Sequence, residues 1–142
     1  MLRNINPLLS PDLLHALRAM GHGDFIVLAD ANFPAERIGP RCIRADGSDA
    51  SMMLNAVLSV MPLDTYTDDP VRCMQVVSDA DAVPETVEDF QRIIDNVADA
   101  PQPIQSIERF AFYELAKSAF AVVQTGERRL YGNIILTKGV IE

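Results

Sequence analysis

The sequence predicts an α/β protein, a three-layer α/β/α sandwich around a mostly parallel sheet, folded as one domain over residues 1–142. Three observations predict it. Short apolar runs rich in β-formers alternate with segments of helical periodicity. Most of those runs are apolar at consecutive positions, as strands covered on both faces are. The chain shows no repeat, low-complexity tract or linker, and 142 residues suit one domain with a sizeable core.

Each element has a local reason. Ser10 followed by Pro11 is an N-cap and first-turn pair, and PDLLHALRAM sets Leu13, Leu14, Leu17 and Met20 on one helical face before Gly21 ends it. FIVLAD, residues 25–30, is a strand with an acid at its carboxyl end. CIRADG, residues 42–47, repeats strand and acidic turn; Ser48 or Asp49 then caps a helix through Met61 that Pro62 stops. VRCMQVV, residues 71–77, is another buried strand, followed by the acidic loop SDADAVPET. Val87, Phe90, Ile93, Ile94 and Val97 form a helical stripe across residues 85–98. PQPIQSIE approaches as a strand and residues 109–120 (RFAFYELAKSAF) read as a helix. Two strands, AVVQTG and NIILTKGV, joined by the turn-like ERRLY, close the chain. In sheets of this kind ligands sit beyond the carboxyl ends of the strands.

Charge and composition narrow the partners. The chain is 49% apolar and 23% charged, the balance of a globular protein rather than a disordered one. Twelve basic against twenty acidic residues leave a net charge of −8, a field that repels phosphate backbones and anionic lipids. Neither a nucleic-acid nor a membrane partner is therefore expected. The longest uncharged stretch, Ala50 to Leu63, is shorter than the roughly 18 residues of a transmembrane helix. The opening MLRNINPLLSPDLL lacks the unbroken apolar run of a secretory signal, so a cytoplasmic location is expected. Cys42 and Cys73 lie in separate strand-like runs and are read as free, structural thiols.

The chemistry is set by what is absent as much as by what is present. GxGxxG, GxxxxGK[ST], GxSxG and HExxH are all missing. With only two histidines, no multi-histidine metal site can form within one chain, and no metal is expected. His15 lies inside the first helix and reads as a packing or surface residue. His22 sits in Gly21-His22-Gly23-Asp24, where flanking glycines permit a sharp turn and open the imidazole to a ligand. A histidine capping the helix dipole fits the same position. Asp30 places a carboxylate where such sheets keep their ligands, or caps its own turn. Arg109 opens a helix, a poor place for a cation unless it has a task or an ion-pair partner such as Glu108. Tyr131-Gly132-Asn133 offers a phenol and an amide around a glycine, a set able to grip hydroxyls or simply to turn the chain. One histidine with carboxylate, amide, phenol and guanidinium groups suits acid–base chemistry on a polyhydroxylated small molecule.

Four segments, LLSPDLLHALRAMGHGD, LADANFPA, RFAFYE and TGERRLYGNIILTKGV, together resemble the ribose pyranase and fucose mutarotase family. They occur in the family's order and span essentially the whole chain. The resemblance implies a cofactor-free isomerase acting on a monosaccharide, with a fold of the kind argued above. It implies that His22 is the general acid/base, and that Asp30, Arg109, Tyr131, Gly132 and Asn133 bind the sugar. Arginine at position 109, in an RFAFY context, is similar to the fucose-type members, whereas the ribose branch carries histidine there. The expected reaction is exchange of the α and β anomers of L-fucose by ring opening and reclosure, with Asp24 beside His22 as an orienting group. The resemblance also implies a homo-oligomer, a ring-based assembly such as a decamer. A ribose-type pyranase and a non-catalytic monosaccharide-binding module are the competing readings.

Overall fold

Six apolar runs pair into a single sheet in the computed structural model, which describes residues 1–142. The strands are β1 (Phe25–Ala29), β2 (Arg41–Ala45), β3 (Val71–Met74), β4 (Gln105–Ile107), β5 (Ala121–Thr125) and β6 (Ile134–Thr137), in spatial order β2-β5-β1-β6-β3-β4. β5 lies parallel between β2 and β1, and β4 lies parallel beside β3. β6 alone is reversed, antiparallel to both β1 and β3. The mostly parallel sheet expected from the sequence therefore forms, with its one antiparallel strand near the centre. The helices are α1 (Pro11–Ala19), α2 (Ala35–Ile38), α3 (Ala50–Leu58), α4 (Glu85–Val97) and α5 (Arg109–Ala116).

Side-chain alternation along the central strands produces two cores. Ile26, Leu28, Val123, Ile134 and Leu136 face the larger one, together with residues of α1, α3 and α4 such as Leu13, Met53 and Phe90. Val27, Ala29, Val122 and Ile135 face the smaller one, against Ala35 of α2 and Phe112 and Ala116 of α5. Strands buried on both faces need no polar alternation, which is why the runs read as continuously apolar. Phe112 is fully buried and docks α5 onto the sheet. Phe112→Ala is expected to cost about 3–5 kcal/mol, read as a lower urea midpoint with an unchanged slope.

The caps are those the sequence suggests, with one choice resolved. Ser10 Oγ accepts from the Leu13 N–H at 3.2 Å. Asp49, rather than Ser48, caps α3, accepting from the Met52 N–H at 2.7 Å, while Ser48 Oγ donates to the Ala45 carbonyl. Element ends differ from the sequence reading where local hydrogen bonds intervene. α3 ends at Leu58, three residues early, because Ser59 Oγ turns back to the Ala56 carbonyl. α5 ends at Ala116 instead of residue 120, as Ser118 and Ala119 make tighter three-residue bonds. β3 stops at Met74 instead of residue 77 because Val76 and Asp79 pair across a turn in which Ser78 takes φ 70°. β6 spans only Ile134–Thr137 within the expected NIILTKGV. The single turn of α2 is too short to leave a periodic signal.

Cys42 is half-buried and Cys73 buried, both free thiols. Burial pushes the Cys73 thiol far above its ordinary range, so it stays protonated. No helix is long and apolar enough to cross a membrane.

Candidate functional site

Reversal of β6 decides where the candidate residues lie. The start of β6 stands beside the carboxyl end of β1, and its end stands beside the amino end of β1. Asp30 follows β1, and Tyr131, Gly132 and Asn133 precede β6, so the topology brings these four together. His22 precedes β1 and lies at the opposite end of the strand.

At the carboxyl end, Asp30 and Asn133 are locked reciprocally. Asn133 Nδ2 donates to Asp30 Oδ2 at 2.8 Å, and the Asp30 N–H donates to Asn133 Oδ1 at 2.9 Å. The second Asp30 oxygen accepts from the Asn32 N–H at 2.9 Å. Burial raises the Asp30 carboxyl above its ordinary value, against the opposing pull of the Asn32 N–H and the Asn133 amide. Tyr131 holds the left-handed conformation, φ 60°, and its hydroxyl accepts from the Val77 N–H at 3.1 Å. Gly132 is required by space. A Cβ there would lie 2.6 Å from Glu127 Cγ and 3.4 Å from Asp30 Cβ.

Arg109 opens α5 on the same rim. Its anticipated partner Glu108 is engaged elsewhere, capping α5 by accepting from the Phe110 and Ala111 N–H groups at 2.8 and 3.1 Å. The guanidinium lies instead over the Phe110 ring, 4.7 Å from its centroid. It lines a recess of about 420 Å³ with Gln75, Val77 and Phe110, its five donors free of any ion pair.

At the amino end, His22 Nε2 meets Asp64 Oδ1 at 3.0 Å. The imidazole is half-exposed and the carboxylate fully buried. Burial works to raise the Asp64 carboxyl, but hydrogen bonds from His22, the Tyr66 N–H and Thr67 outweigh it and hold it below the ordinary range. An ionised carboxylate only accepts, so Nε2 carries the hydrogen and Nδ1 is the nitrogen left to exchange a proton. Tyr66 packs edge-on against the imidazole, 5.2 Å between centroids.

One expectation is corrected here. Asp24 does not orient His22. Its carboxylate accepts from the Gly21 N–H at 2.7 Å and closes the turn, while Asp64 takes the orienting place. Asp64 lies in a loop after Pro62 with no motif or period to mark it; only its complete burial betrays it. Within one chain His22 and the Asp30 cluster lie at opposite ends of β1. The five-residue strand β1 lies between them, a length of about 17 Å at ~3.3 Å per residue.

No group of three or more histidine, cysteine, aspartate or glutamate side chains converges in a way that could hold a metal ion. The molecule is thus a three-layer α/β domain whose sheet carries a polar cluster at one end and a carboxylate-oriented histidine at the other. Residues 3–141 match the RbsD / FucU transport protein family, and the chain belongs to it. It is 51% identical to human fucose mutarotase over 146 residues, covering 99% of this chain and 94% of that one. The crystal structure of a fucose mutarotase from Streptococcus pneumoniae in complex with L-fucose superposes with a TM-score of 0.92 at 43% identity, covering 99% of this chain and 100% of that chain. Bacillus subtilis RbsD in complex with D-ribose superposes at 0.77 with 25% identity, each chain fully covered.

Proposed function

We propose that this chain is a sugar mutarotase that exchanges the α and β anomers of L-fucose, using His22 as general acid/base and Asp30, Arg109, Tyr131, Gly132 and Asn133 to hold the sugar. The observation that carries the reading is the carboxyl-end cluster: a buried carboxylate, an amide, a phenol and an unpaired guanidinium sharing one rim. That set donates and accepts along a row of hydroxyls. Kinship with human fucose mutarotase and with a fucose-bound relative supports the same substrate. A binding module would need the cluster but not an imidazole held by a buried carboxylate.

Anomer exchange requires a proton to leave the anomeric hydroxyl and another to reach the ring oxygen. The ring opens to the aldehyde, one bond rotates, and the hydroxyl re-adds to the other face. His22 Nδ1 takes and returns the proton, and Asp64 stabilises the imidazolium that forms between the two events. The cluster holds the remaining hydroxyls in a fixed pose while the bond turns.

Because the two half-sites lie at opposite ends of the central strands, each complete site needs two copies of the chain. The amino end of one copy faces the carboxyl end of the next. Such a head-to-tail contact is heterologous, and it closes into a ring where the rotation between neighbours closes, the case that the expected ring-based assembly such as a decamer would represent. Exposed Val77, Phe110 and Leu130 around the cluster, and exposed Tyr66 beside His22, supply apolar surface for the contact. A cytoplasmic location suits an enzyme of this charge and substrate.

Saturation-transfer NMR on the two anomeric protons of L-fucose tests the activity directly. Catalytic amounts of protein should carry saturation between the signals with no added cofactor or metal and without altering the anomer ratio. Absence of transfer with L-fucose and with D-ribose would replace the enzyme reading by the binding module. Arg109→His should weaken exchange of L-fucose more than that of D-ribose, since the rigid fork discriminates against ligands that leave it unpaired. An equal loss for both sugars would make Arg109 a structural residue.

A further inference from the structure

Arg129 lies between the last two strands, in a turn to which the sequence assigns no task. Its guanidinium is a hub. Nη1 donates to Asp89 of α4 at 2.5 Å, Nη2 to Ser51 of α3 at 3.0 Å and to Glu127 Oε2 at 2.9 Å, and Nε to Glu127 Oε1 at 3.0 Å. The Arg129 N–H also donates to Glu127 Oε1 at 2.9 Å. One side chain therefore ties two helices to the loop that leads into Tyr131. Hydrogen bonding to Arg129 is the main reason the Glu127 carboxyl sits below its ordinary range despite burial.

Glu127 touches both halves of the sugar-binding cluster. Its carbonyl accepts from the Ala31 N–H at 2.9 Å, fixing the chain just after Asp30. Its Cγ fills the space under Gly132 that a Cβ would need. Between these anchors the Leu130 carbonyl accepts from Thr86 Oγ1 at 3.4 Å, and Tyr131 takes the left-handed conformation that tyrosine rarely adopts. A strained backbone of this kind persists only where the surroundings over-determine it.

From this geometry we infer that Glu127 and Arg129 are positioning residues: with Asp89 they form a clamp that holds Tyr131 and Asn133 in the sugar-binding pose. The inference rests on the reading of Tyr131, Asn133 and Asp30 as the sugar-binding set. Arginine is suited to the place because its planar fork grips Glu127 through two parallel N–H groups while another reaches Asp89, a geometry that the single nitrogen of an ammonium group does not reproduce.

Arg129→Ala, Arg129→Lys and Asp89→Asn test it by two readouts. Hydrogen exchange read by mass spectrometry follows the Val77 amide, which is bonded to the Tyr131 hydroxyl, and the Asp30 amide, which is bonded to Asn133. In Arg129→Ala both should lose protection while β5 and the centre of β1 keep theirs, and KM for L-fucose should rise about tenfold with kcat changed far less. Arg129→Lys should restore the melting temperature but not KM. Asp89→Asn, which frees one jaw and leaves the Glu127 pair, should give an intermediate KM even if Arg129→Ala does not fold. Parental protection at both amides, or loss of protection spread evenly over the sheet with KM unchanged, would overturn the clamp. If the parent protein itself shows no anomer exchange, the functional reading fails, whereas the two amides still decide whether the clamp orders the cluster.

Discussion

His22→Ala is expected to lower anomer exchange of L-fucose by about 10²–10⁴-fold, the usual worth of a positioned acid/base. The imidazole is half-exposed, so truncation leaves no core cavity and circular dichroism should match the parent at neutral pH. The change does show in acid. Asp64 has its carboxyl held below the unfolded value of about 3.9, so its stabilisation is present above that pH and is lost as pH falls through the folded value. Without His22 the folded value rises, and acid unfolding should begin at a higher pH than in the parent. The same variant tests the two-copy site. His22→Ala and Asp30→Asn are each inactive alone, but coexpressed chains assembling at random give about a quarter of sites with both halves intact. Recovery to about that fraction supports sites built from two copies. Activity no higher than that of either variant alone would return His22 to a structural role or place the partner elsewhere.

Gly139→Ala should damage the same half-site from behind. A Cβ on Gly139 would lie 2.4 Å from the Leu63 carbonyl oxygen, 2.7 Å from its carbon and 2.9 Å from Asp64 Cα. All three are backbone atoms, so no side chain can swing aside. The segment is also fastened, with the Gly139 N–H donating to the Pro62 carbonyl and the Asp64 N–H to the Thr137 carbonyl. Relief requires the chain at 63–64 to move off β6, costing about 1–3 kcal/mol in stability. It carries Asp64 away from His22. A displacement of about 1 Å at an orienting group can cost about a hundredfold in rate, so kcat should collapse while KM for L-fucose changes little. A fall in KM-related binding with kcat preserved would show that the 62–64 segment serves the sugar rather than the histidine.

How legible these features are in the sequence depends on whether the cause is local. The caps at Ser10 and Asp49, the stripe of α4 and the two-sided apolar strands follow from nearest neighbours and are readable. The residues Asp30, Arg109, Tyr131, Gly132 and Asn133 stand out because an acid, a cation at a helix start and a polar turn are conspicuous beside apolar strands, and the fold does collect them on one rim. The reversal of β6 is not readable, since an apolar run carries no direction. That one unreadable fact brings Tyr131, Gly132 and Asn133 to the Asp30 end of the sheet instead of the His22 end. Asp64 escapes for a different reason: its importance comes from complete burial and from partners more than forty positions away in the chain, such as His22. Glu127 and Arg129 sit in a turn that looks interchangeable until Asp89 and Ser51 arrive from two helices.

The opposite placement of the two half-sites has a kinetic consequence. On the proposed two-copy site, a molecule that carries half of two different sites has no activity of its own, so the catalytic unit is the contact and not the chain. On the proposed head-to-tail arrangement, specific activity is a function of concentration. Well above the dissociation constant of the ring, rate is proportional to protein. Below it, each halving of protein more than halves the rate, and the reaction order in enzyme climbs above one. Anything that loosens the contact then acts as an inhibitor without touching sugar, histidine or the polar cluster.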